Sequence, residues 1–297
     1  MDIWKTFFID HIGGFNDKTT IPDVPADVCD LACRVEMLTE EIQNLEQLID
    51  IFSFNLQQLH KYCNMRIDDR ITRNIDGEPI SLIEINGLII NILSAGKSCY
   101  KYCEEVERSR FGESGMNAFR EKLKDTIEGG ELFYCFLHVL RDMGQHGNLI
   151  VSKKDDERLC FDLEQLLRPV QFRIPPRIKV WMEETRLHIA KELQDYPHLA
   201  VTKSLITYTH NTLLICLAFL KNNQEFFITP FRRLKETLNE HPEYLLLNDN
   251  LKDALPYKIQ EGTLHVLLVQ EDFEGFYCSA MNKIEHQIKK YDNGFEK

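Results

Sequence analysis

The stretch LRDMGQHGNL, residues 140–149, places an arginine and a histidine directly after a strongly apolar segment, ELFYCFLHV. Arginine offers phosphate oxygens a planar fork of donors, and histidine can move protons near neutral pH. Arg141 and His146 could therefore perform phosphodiester chemistry without a metal ion, His146 transferring a proton and Arg141 stabilising negative charge. The alternative is structural: Arg141 pairs with neighbouring acids, and His146 caps a helix.

The spacing of these two residues matters for any shared site. Five residues at about 100° each place Arg141 and His146 about 140° apart on a regular helix, so they do not share a face. Gly144 is a poor helix former and Gly147 suits a helix C-cap, so we expect the helix to loosen and expose His146. His138, inside the apolar run, is expected to be a hydrogen-bonded core histidine.

A heptad pattern predicts one long helix over residues 26 to about 62. Its apolar seam consists of Val28, Leu31, Val35, Leu38, Ile42, Leu45, Ile49, Phe52, Leu56 and Leu59. The seam needs an apolar partner, which is either another helix of the same chain or the seam of a second copy. Ser81 and Glu84 form a capping-box pattern that opens a second long helix through about Val106. The sequence RFGESG is expected to break it.

Further apolar patterns predict helices over about 116–127, 131–146, 177–194 and 199–220, and a last helix in FYCSAMNKIEHQIKKY. LPYKI and GTLHVLLVQ could pair as a small β-hairpin near the C-terminus, or the second could be a buried helix. The fold class is therefore all-α, a helical bundle with a long N-terminal helix. We place a helical domain at 1–225 and a small helical or mixed extension at 226–297.

Composition limits the class of protein. The 297 residues are 43% hydrophobic and 28% charged, which is typical of a globular protein. MDIWKTFFIDHIGG carries acids and lacks a small-residue cleavage site, so it does not read as a signal peptide. The apolar run LLICLAFL is too short to span a bilayer. We expect a cytoplasmic protein with no membrane partner.

The net charge of -12 argues against indiscriminate nucleic-acid binding but leaves room for a local basic site. Residues 165–182 contain no acid, and they include four cations: Arg168, Arg173, Arg177 and Lys179. This basic connector either holds phosphates or is a solvated link between helices.

Two sequence patterns resemble binding sites for a nucleotide phosphate or a metal ion, but neither fits such a site well. SAGKS resembles the end of a phosphate-binding P-loop, but Asn91 stands where the motif needs glycine, and the segment lies inside a predicted helix. Cys29 with Cys33 and Cys99 with Cys103 could supply four thiolates to zinc. Buried helix packing is the alternative for these cysteines. We predict no cofactor and no metal.

The stretch FYCFLHVLRDMGQHGNLIV resembles the signature of the HEPN superfamily of helical ribonucleases and nucleotide-binding domains. That signature is an arginine, then a polar residue, then a histidine after four to six intervening residues. Arg141, Asp142 and His146 match these positions, which the resemblance marks as catalytic. The segment before it, SLIEINGLIINILSAGKSCYKYCEE, is similar to the preceding long helix, so the resemblance covers roughly residues 80–150.

The resemblance implies a metal-independent endoribonuclease of toxin–antitoxin, abortive-infection or other antiviral systems. The RNA's own 2′-hydroxyl would attack, leaving a 2′,3′-cyclic phosphate. Such domains commonly form homodimers, in which residues that diverge on one helix can converge across a two-fold axis. An antitoxin or defence-system protein is then an expected partner. Asn91, Ser94 and Gln145 are candidates to line the cleft; the alternative for Asn91 and Ser94 is an ordinary polar helix face.

One position departs from part of the family. Some members carry a tyrosine two residues after the histidine, where a partner enzyme modifies it, whereas this chain has Asn148. Two other functions remain open. The chain could be a catalytically inactive interaction module that docks through its heptad seam, or a nucleotide-sensing domain in which Arg141 binds phosphate without chemistry.

Overall fold

The computed structural model describes residues 25–63, 81–124, 126–127, 130–153, 159–168, 173–192, 198–241, 245–248, 251–260, 263–266 and 273–292. Helices dominate this part of the chain, which confirms the all-α prediction. They are α1 (Ala26–Cys63), α2 (Leu82–Lys124), α3 (Gly130–Gln145), α4 (Leu163–Leu167), α5 (Pro176–Glu192), α6 (Val201–Asn222), α7 (Gln224–Glu240) and α8 (Phe273–Asp292). The N-terminal segment that bears on localisation lies outside the described residues.

Two small antiparallel sheets accompany the helices. The first has the order β1 (Ser152–Lys153), β2 (Leu159–Asp162), β3 (His198–Ala200); the second has the order β4 (Leu245–Asn248), β5 (Leu251–Gln260), β6 (Thr263–Val266). The β5–β6 pairing confirms the predicted hairpin near the C-terminus. The first sheet was not predicted, because strands of two to four residues are too short to show alternation.

Helix α1 has the predicted length, and its seam packs within the chain. Every seam residue except Leu31 is buried, Ile42, Leu45 and Ile49 each being only 1% exposed. Intramolecular packing of the seam is thus confirmed. The seam offers no docking surface, so it supports neither the interaction-module hypothesis nor a dimer.

The chain divides into two compact units. The larger comprises Leu45–Phe219 with Lys283–Lys297, and the smaller comprises Met1–Asn44 with Leu220–Asn282. In the smaller unit, the hydroxyl of Tyr277 donates to the carbonyl of Leu220, and its ring packs against Phe227. The boundary at residue 225 stays a prediction. All of the predicted site residues belong to the larger unit.

The start of α2 differs in detail from a full capping box. The Ser81 hydroxyl accepts the backbone N–H of Glu84 at 3.4 Å, as predicted. The Glu84 carboxylate instead accepts a hydrogen bond from the Tyr62 hydroxyl, and this same hydroxyl accepts the Ser81 N–H. A tyrosine from α1 therefore takes over half of the cap. The break predicted at RFGESG is confirmed: the backbone of Gly112 is non-helical (φ 66°), and α2 consists of two helical stretches that meet at this kink, the second ending at Lys124.

Gly96 of the SAGKS segment has a packing role rather than a phosphate-binding one. It lies inside α2 against the ring of Tyr208, a fully buried residue of α6. A Cβ at Gly96 would come within 2.6 Å of that ring. The Tyr208 hydroxyl donates to the carbonyl of Leu93 at 3.0 Å, which fixes the ring in place. Only glycine allows α2 and α6 to approach this closely.

We expect Gly96→Ala to lower the free energy of unfolding by about 1–3 kcal/mol, because the new methyl group overpacks a fixed ring. Gly87→Ala is the matched control in the same helix, since a Cβ there meets no atom within 4 Å. It should raise the free energy of unfolding by about 0.5–1 kcal/mol. Chemical denaturation of both variants measures this, and equal effects would contradict the packing role of Gly96.

Candidate functional site

The helix that carries the predicted catalytic residues ends as a Schellman motif. The N–H of Asn148 donates to the carbonyl of Met143 at 3.2 Å, and the N–H of Gly147 donates to that of Gly144 at 3.0 Å. Gly147 has φ of 82°, which confirms its predicted place just beyond the helix. His146 is the last residue before this turn, and it is exposed. The exposure predicted for His146 is therefore present.

The predicted loosening at Gly144 is wrong, because α3 remains helical through Gln145. A Cβ at Gly144 would come within 2.5 Å of the Ile90 side chain of α2. The glycine thus lets the last turn of α3 press against α2. Beyond the helix, the side-chain oxygen of Asn86 accepts the N–H groups of Ile150 and Val151 at 2.8 and 3.1 Å. Both ends of the turn that displays His146 are anchored to α2.

Arg141 and Asp142 meet two polar residues of α2, and we call these four residues the Asp142 cluster: Ser94, Lys97, Arg141 and Asp142. Arg141 Nη1 lies 2.7 Å from Asp142 Oδ1, and Lys97 Nζ lies 3.0 and 3.1 Å from its two carboxylate oxygens. Arg141 Nε donates to Ser94 Oγ at 3.3 Å. The helices thus place two cations around one carboxylate, and Ser94 lies beside Arg141.

The charge of the Asp142 cluster does not cancel. Partial burial would raise the pKa of the Asp142 carboxyl, but hydrogen bonds from Arg141 and Lys97 outweigh it, so its pKa lies below the usual value. The carboxylate is therefore ionised at neutral pH and cannot serve as a proton donor. One negative charge faces two positive ones, which leaves a net positive charge. The side chains of Lys97 and Arg141 are 23% and 26% exposed, so an anion can reach them.

The pairing of Arg141 with Asp142 is what the structural alternative predicted for the arginine. It does not occupy the whole guanidinium, because Nη1 and Nε carry the two contacts described above. Within the described residues, no hydrogen bond to Nη2 is found. A phosphate oxygen could therefore bind that amino group while Asp142 holds the guanidinium plane.

The other predicted site residues lie around the cluster or away from it. Asn91 is exposed one turn before Ser94, and Gln145 is exposed beside His146. The basic connector is exposed: Arg168, Arg173, Arg177 and Lys179. Arg177 Nη2 lies 4.0 Å from the Glu131 carboxylate, in the first turn of α3. Because Arg141 follows Glu131 by ten residues, the connector approaches α3 about 15 Å from the Asp142 cluster.

His138 lies one helical turn before Arg141. The sequence indicated its burial but not its proximity to the Asp142 cluster. Its ring packs among Tyr100, Tyr134 and Tyr208, with centroid distances of 5.8, 4.6 and 5.9 Å. Burial, reinforced by the charge of Lys97, lowers its pKa to about 3, so it is neutral. The predicted hydrogen bond is not found at its buried Nε2, which has no partner among the described residues. Aromatic rings, rather than polar groups, hold this histidine.

A second charged group lies on α2, where Glu104 contacts Tyr100, one of the rings around His138. The fully buried carboxylate of Glu104 accepts hydrogen bonds from Arg120 Nε at 2.6 Å and Lys101 Nζ at 2.5 Å. Burial would raise the pKa of Glu104, but the hydrogen bonds from Arg120, Lys101 and Tyr100 outweigh it and lower the pKa. The ionised carboxylate therefore stabilises the folded state at neutral pH.

We expect Glu104→Gln to lower the Tm by a few degrees near pH 7, because it removes a charge that two cations bind. A lowered folded-state pKa gives stability that is present above the unfolded pKa and lost as the pH falls through the folded value. The Tm difference from wild type should therefore be full near neutral pH and shrink as the pH falls below the unfolded-state pKa of about 4.3. Thermal scans at several pH values measure it. The control Glu105→Gln alters an exposed carboxylate, and an equal loss of Tm there would contradict the prediction.

The zinc alternative finds no support in the described part of the chain, where no group of three His, Cys, Asp or Glu side chains is placed to hold a metal ion. Cys99 and Cys103 are buried in α2 as free thiols, and each forms a hydrogen bond with the free thiol of Cys216 in α6. Cys216 and Cys99 have raised pKa values, mainly through these contacts and burial. Thiols that resist ionisation are poor metal ligands, so helix packing explains them.

Among the helices that the structure describes, none combines the length and the apolar composition needed to cross a membrane. Comparison with protein-family models, with curated proteins and with solved structures finds no match to this chain.

Proposed function

We propose that the protein is a metal-independent endoribonuclease of the HEPN type, with Arg141, Asp142 and His146 at its site. One observation carries the proposal. The Asp142 cluster holds a net positive charge at the end of α3, and His146, four residues after Asp142, is exposed on an anchored turn. A cation pair can bind a phosphate, and a histidine can transfer protons to and from the oxygens beside it.

The division of roles follows from the chemistry of each group. Arg141 and Lys97 bind the scissile phosphate and stabilise the charge that develops on it. Asp142 holds the two cations in place. The RNA 2′-oxygen attacks phosphorus, and His146 accepts its proton as the bond to the 5′-oxygen breaks. The departing 5′-oxygen takes a proton from a second histidine, and the RNA ends in a 2′,3′-cyclic phosphate.

The test is incubation of the purified protein with mixed RNA in EDTA. We expect cleavage that leaves 2′,3′-cyclic phosphate ends, because no step uses a metal. RNA that stays intact with wild-type protein, across a range of pH and protein concentration, would overturn the proposal.

A second candidate is a nucleotide-sensing domain, which is supported by the same cluster because two cations on one carboxylate can bind phosphate without chemistry. Saturable binding of a nucleotide together with intact RNA would favour it. We also propose a cytoplasmic role in antiviral defence or a toxin–antitoxin system, with an antitoxin or defence-system protein as partner. The resemblance of the Arg141–His146 stretch to HEPN ribonucleases supports this role.

We predict a homodimer, because the proposed reaction uses two proton-transferring histidines and each chain offers one at this turn. The wide angle between Arg141 and His146 on one helix also favours a cleft completed by a second copy. Light scattering at micromolar concentration should give twice the chain mass of 34.9 kDa. A monomer mass from a preparation that cleaves RNA would contradict the two-histidine cleft.

A further inference from the structure

A groove in the larger unit lies beside the first half of α3. It has a volume of about 380 Å³, and its lining comes from α3, α5, β3 and α6. The lining residues are Phe133, Trp181, Leu199, Ala200, Lys203, Ser204 and Thr207. The groove therefore combines two aromatic rings, hydroxyl groups and one lysine, and the site proposed above uses none of them.

The aromatic side of the groove is a supported surface. Trp181 packs against Phe136 with ring centroids 5.1 Å apart and against Phe133 at 6.2 Å. Phe136 is fully buried, so its contact with the indole supports Trp181 from the side of the core. Trp181 and Phe133 themselves are half-buried. A flat, apolar ligand could stack on this surface without rearranging it.

The edge of the groove is cationic although the protein is strongly acidic. Lys203 lines the groove and is exposed. Arg177 lies one turn before Trp181 on α5; its side chain is 78% exposed and only loosely paired with Glu131. Flat rings beside exposed cations match a ligand that joins flat bases to phosphates. An apolar peptide would use the rings and leave both cations without a role.

We infer that this groove binds an unpaired base of single-stranded RNA, stacked on Trp181, with the neighbouring phosphates on Lys203 and Arg177. The inference rests on the proposed ribonuclease function and names the form of its substrate. Phe133 and Arg141 are eight residues apart on α3, about 12 Å along the helix, so one strand can reach both sites. In this arrangement the connector residue Arg177 binds a phosphate of the RNA at some distance from the cleaved bond.

The fluorescence of Trp181 can be used to measure ligand binding in the groove, because the chain has only two tryptophans. Trp4→Phe leaves Trp181 as the single indole. The probe is a single-stranded DNA oligonucleotide, which lacks the 2′-hydroxyl and cannot be cleaved by the proposed reaction. We expect saturable quenching of Trp181 fluorescence by this probe, and weaker quenching by AMP. A spectrum that does not respond while a labelled probe binds by anisotropy would overturn the inference.

Variants locate the contact. Trp181→Leu and Phe133→Leu should each weaken probe binding about five- to a hundredfold, as expected for loss of base stacking. Lys203→Gln should flatten the salt dependence of the affinity by about one phosphate contact. Leu187→Ala, on an exposed position of α5, is the control and should bind like wild type. Unchanged affinity in folded Trp181→Leu and Lys203→Gln proteins would overturn the inference.

The outcomes separate this inference from the proposed reaction. His146→Ala should quench like its parent, because His146 is not part of the groove. Quenching without RNA cleavage would refute the ribonuclease and keep the groove as a nucleic-acid site. Cleavage without any response of Trp181 would refute the groove alone. A change in fluorescence with protein concentration, in the absence of probe, would identify the groove as an interface between copies and also overturn the inference.

Discussion

Replacement of His146 by alanine is expected to lower RNA cleavage by about a hundredfold or more while the protein remains folded. The loss follows from the removal of the group that accepts the 2′-hydroxyl proton. Stability should change by no more than about 0.5 kcal/mol, because the side chain is exposed and the backbone bonds of the Schellman motif do not depend on it. Initial cleavage rates in EDTA and a denaturation curve measure the two effects.

Two controls make this result specific to proton transfer. His188→Ala removes another exposed histidine, on α5, and should cleave RNA at the wild-type rate. Added imidazole should restore part of the activity of His146→Ala, because a free base can replace the missing side chain, whereas it cannot restore a merely structural contact. A folded His146→Ala protein that cleaves RNA as fast as wild type would refute the ribonuclease assignment.

Much of the fold was predictable because it depends on periodic burial along single elements. The seam of α1 and the glycine at the end of α3 are local patterns, and each produces the predicted structure. The break at RFGESG was predictable for the same reason. Gly112 takes the positive φ that the motif's glycine permits, and a second helical stretch begins after it.

The candidate site was predictable only along its own helix. Arg141, Asp142 and His146 were identified from one stretch of sequence. Lys97, which contacts Asp142, lies 45 positions before it in the chain. No periodicity links those positions, since their contact depends on how closely α2 and α3 approach. That approach in turn depends on Gly144, which has no side chain to hold Ile90 away. The sequence marked Gly144 only as a poor helix former, and its packing role requires the tertiary structure.

The contacts of His138 on α3 were also not predictable from the sequence of one helix. The apolar run around His138 predicts burial, and burial usually brings a hydrogen bond to a polar ring. Here three tyrosine rings surround the histidine, and Tyr134 and Tyr208 direct their hydroxyls to Thr212 and Leu93 instead. Which polar partner a buried ring finds depends on neighbours from α2 and α6, so the sequence of α3 alone could not decide it.

The second large effect is expected at Arg141. Arg141→Ala should lower cleavage about a hundredfold or more, because it removes a donor that stabilises the transition-state charge. Arg141→Lys should recover little of this activity, since an ammonium keeps the charge but loses the fork that bonds Asp142, Ser94 and phosphate together. Neither variant should unfold the protein, because Lys97 still neutralises Asp142.

Lys97 provides the matched comparison, because it faces the same carboxylate as a point charge without a fork. Lys97→Arg should therefore keep most of the activity, in contrast to Arg141→Lys. Affinity for an uncleavable oligonucleotide separates binding from chemistry: Arg141→Lys should bind nearly as well as wild type and yet cleave slowly. If Arg141→Lys cleaves at the wild-type rate, the guanidinium geometry has no catalytic role. The cluster would then act through its charge alone, as a phosphate-binding domain requires.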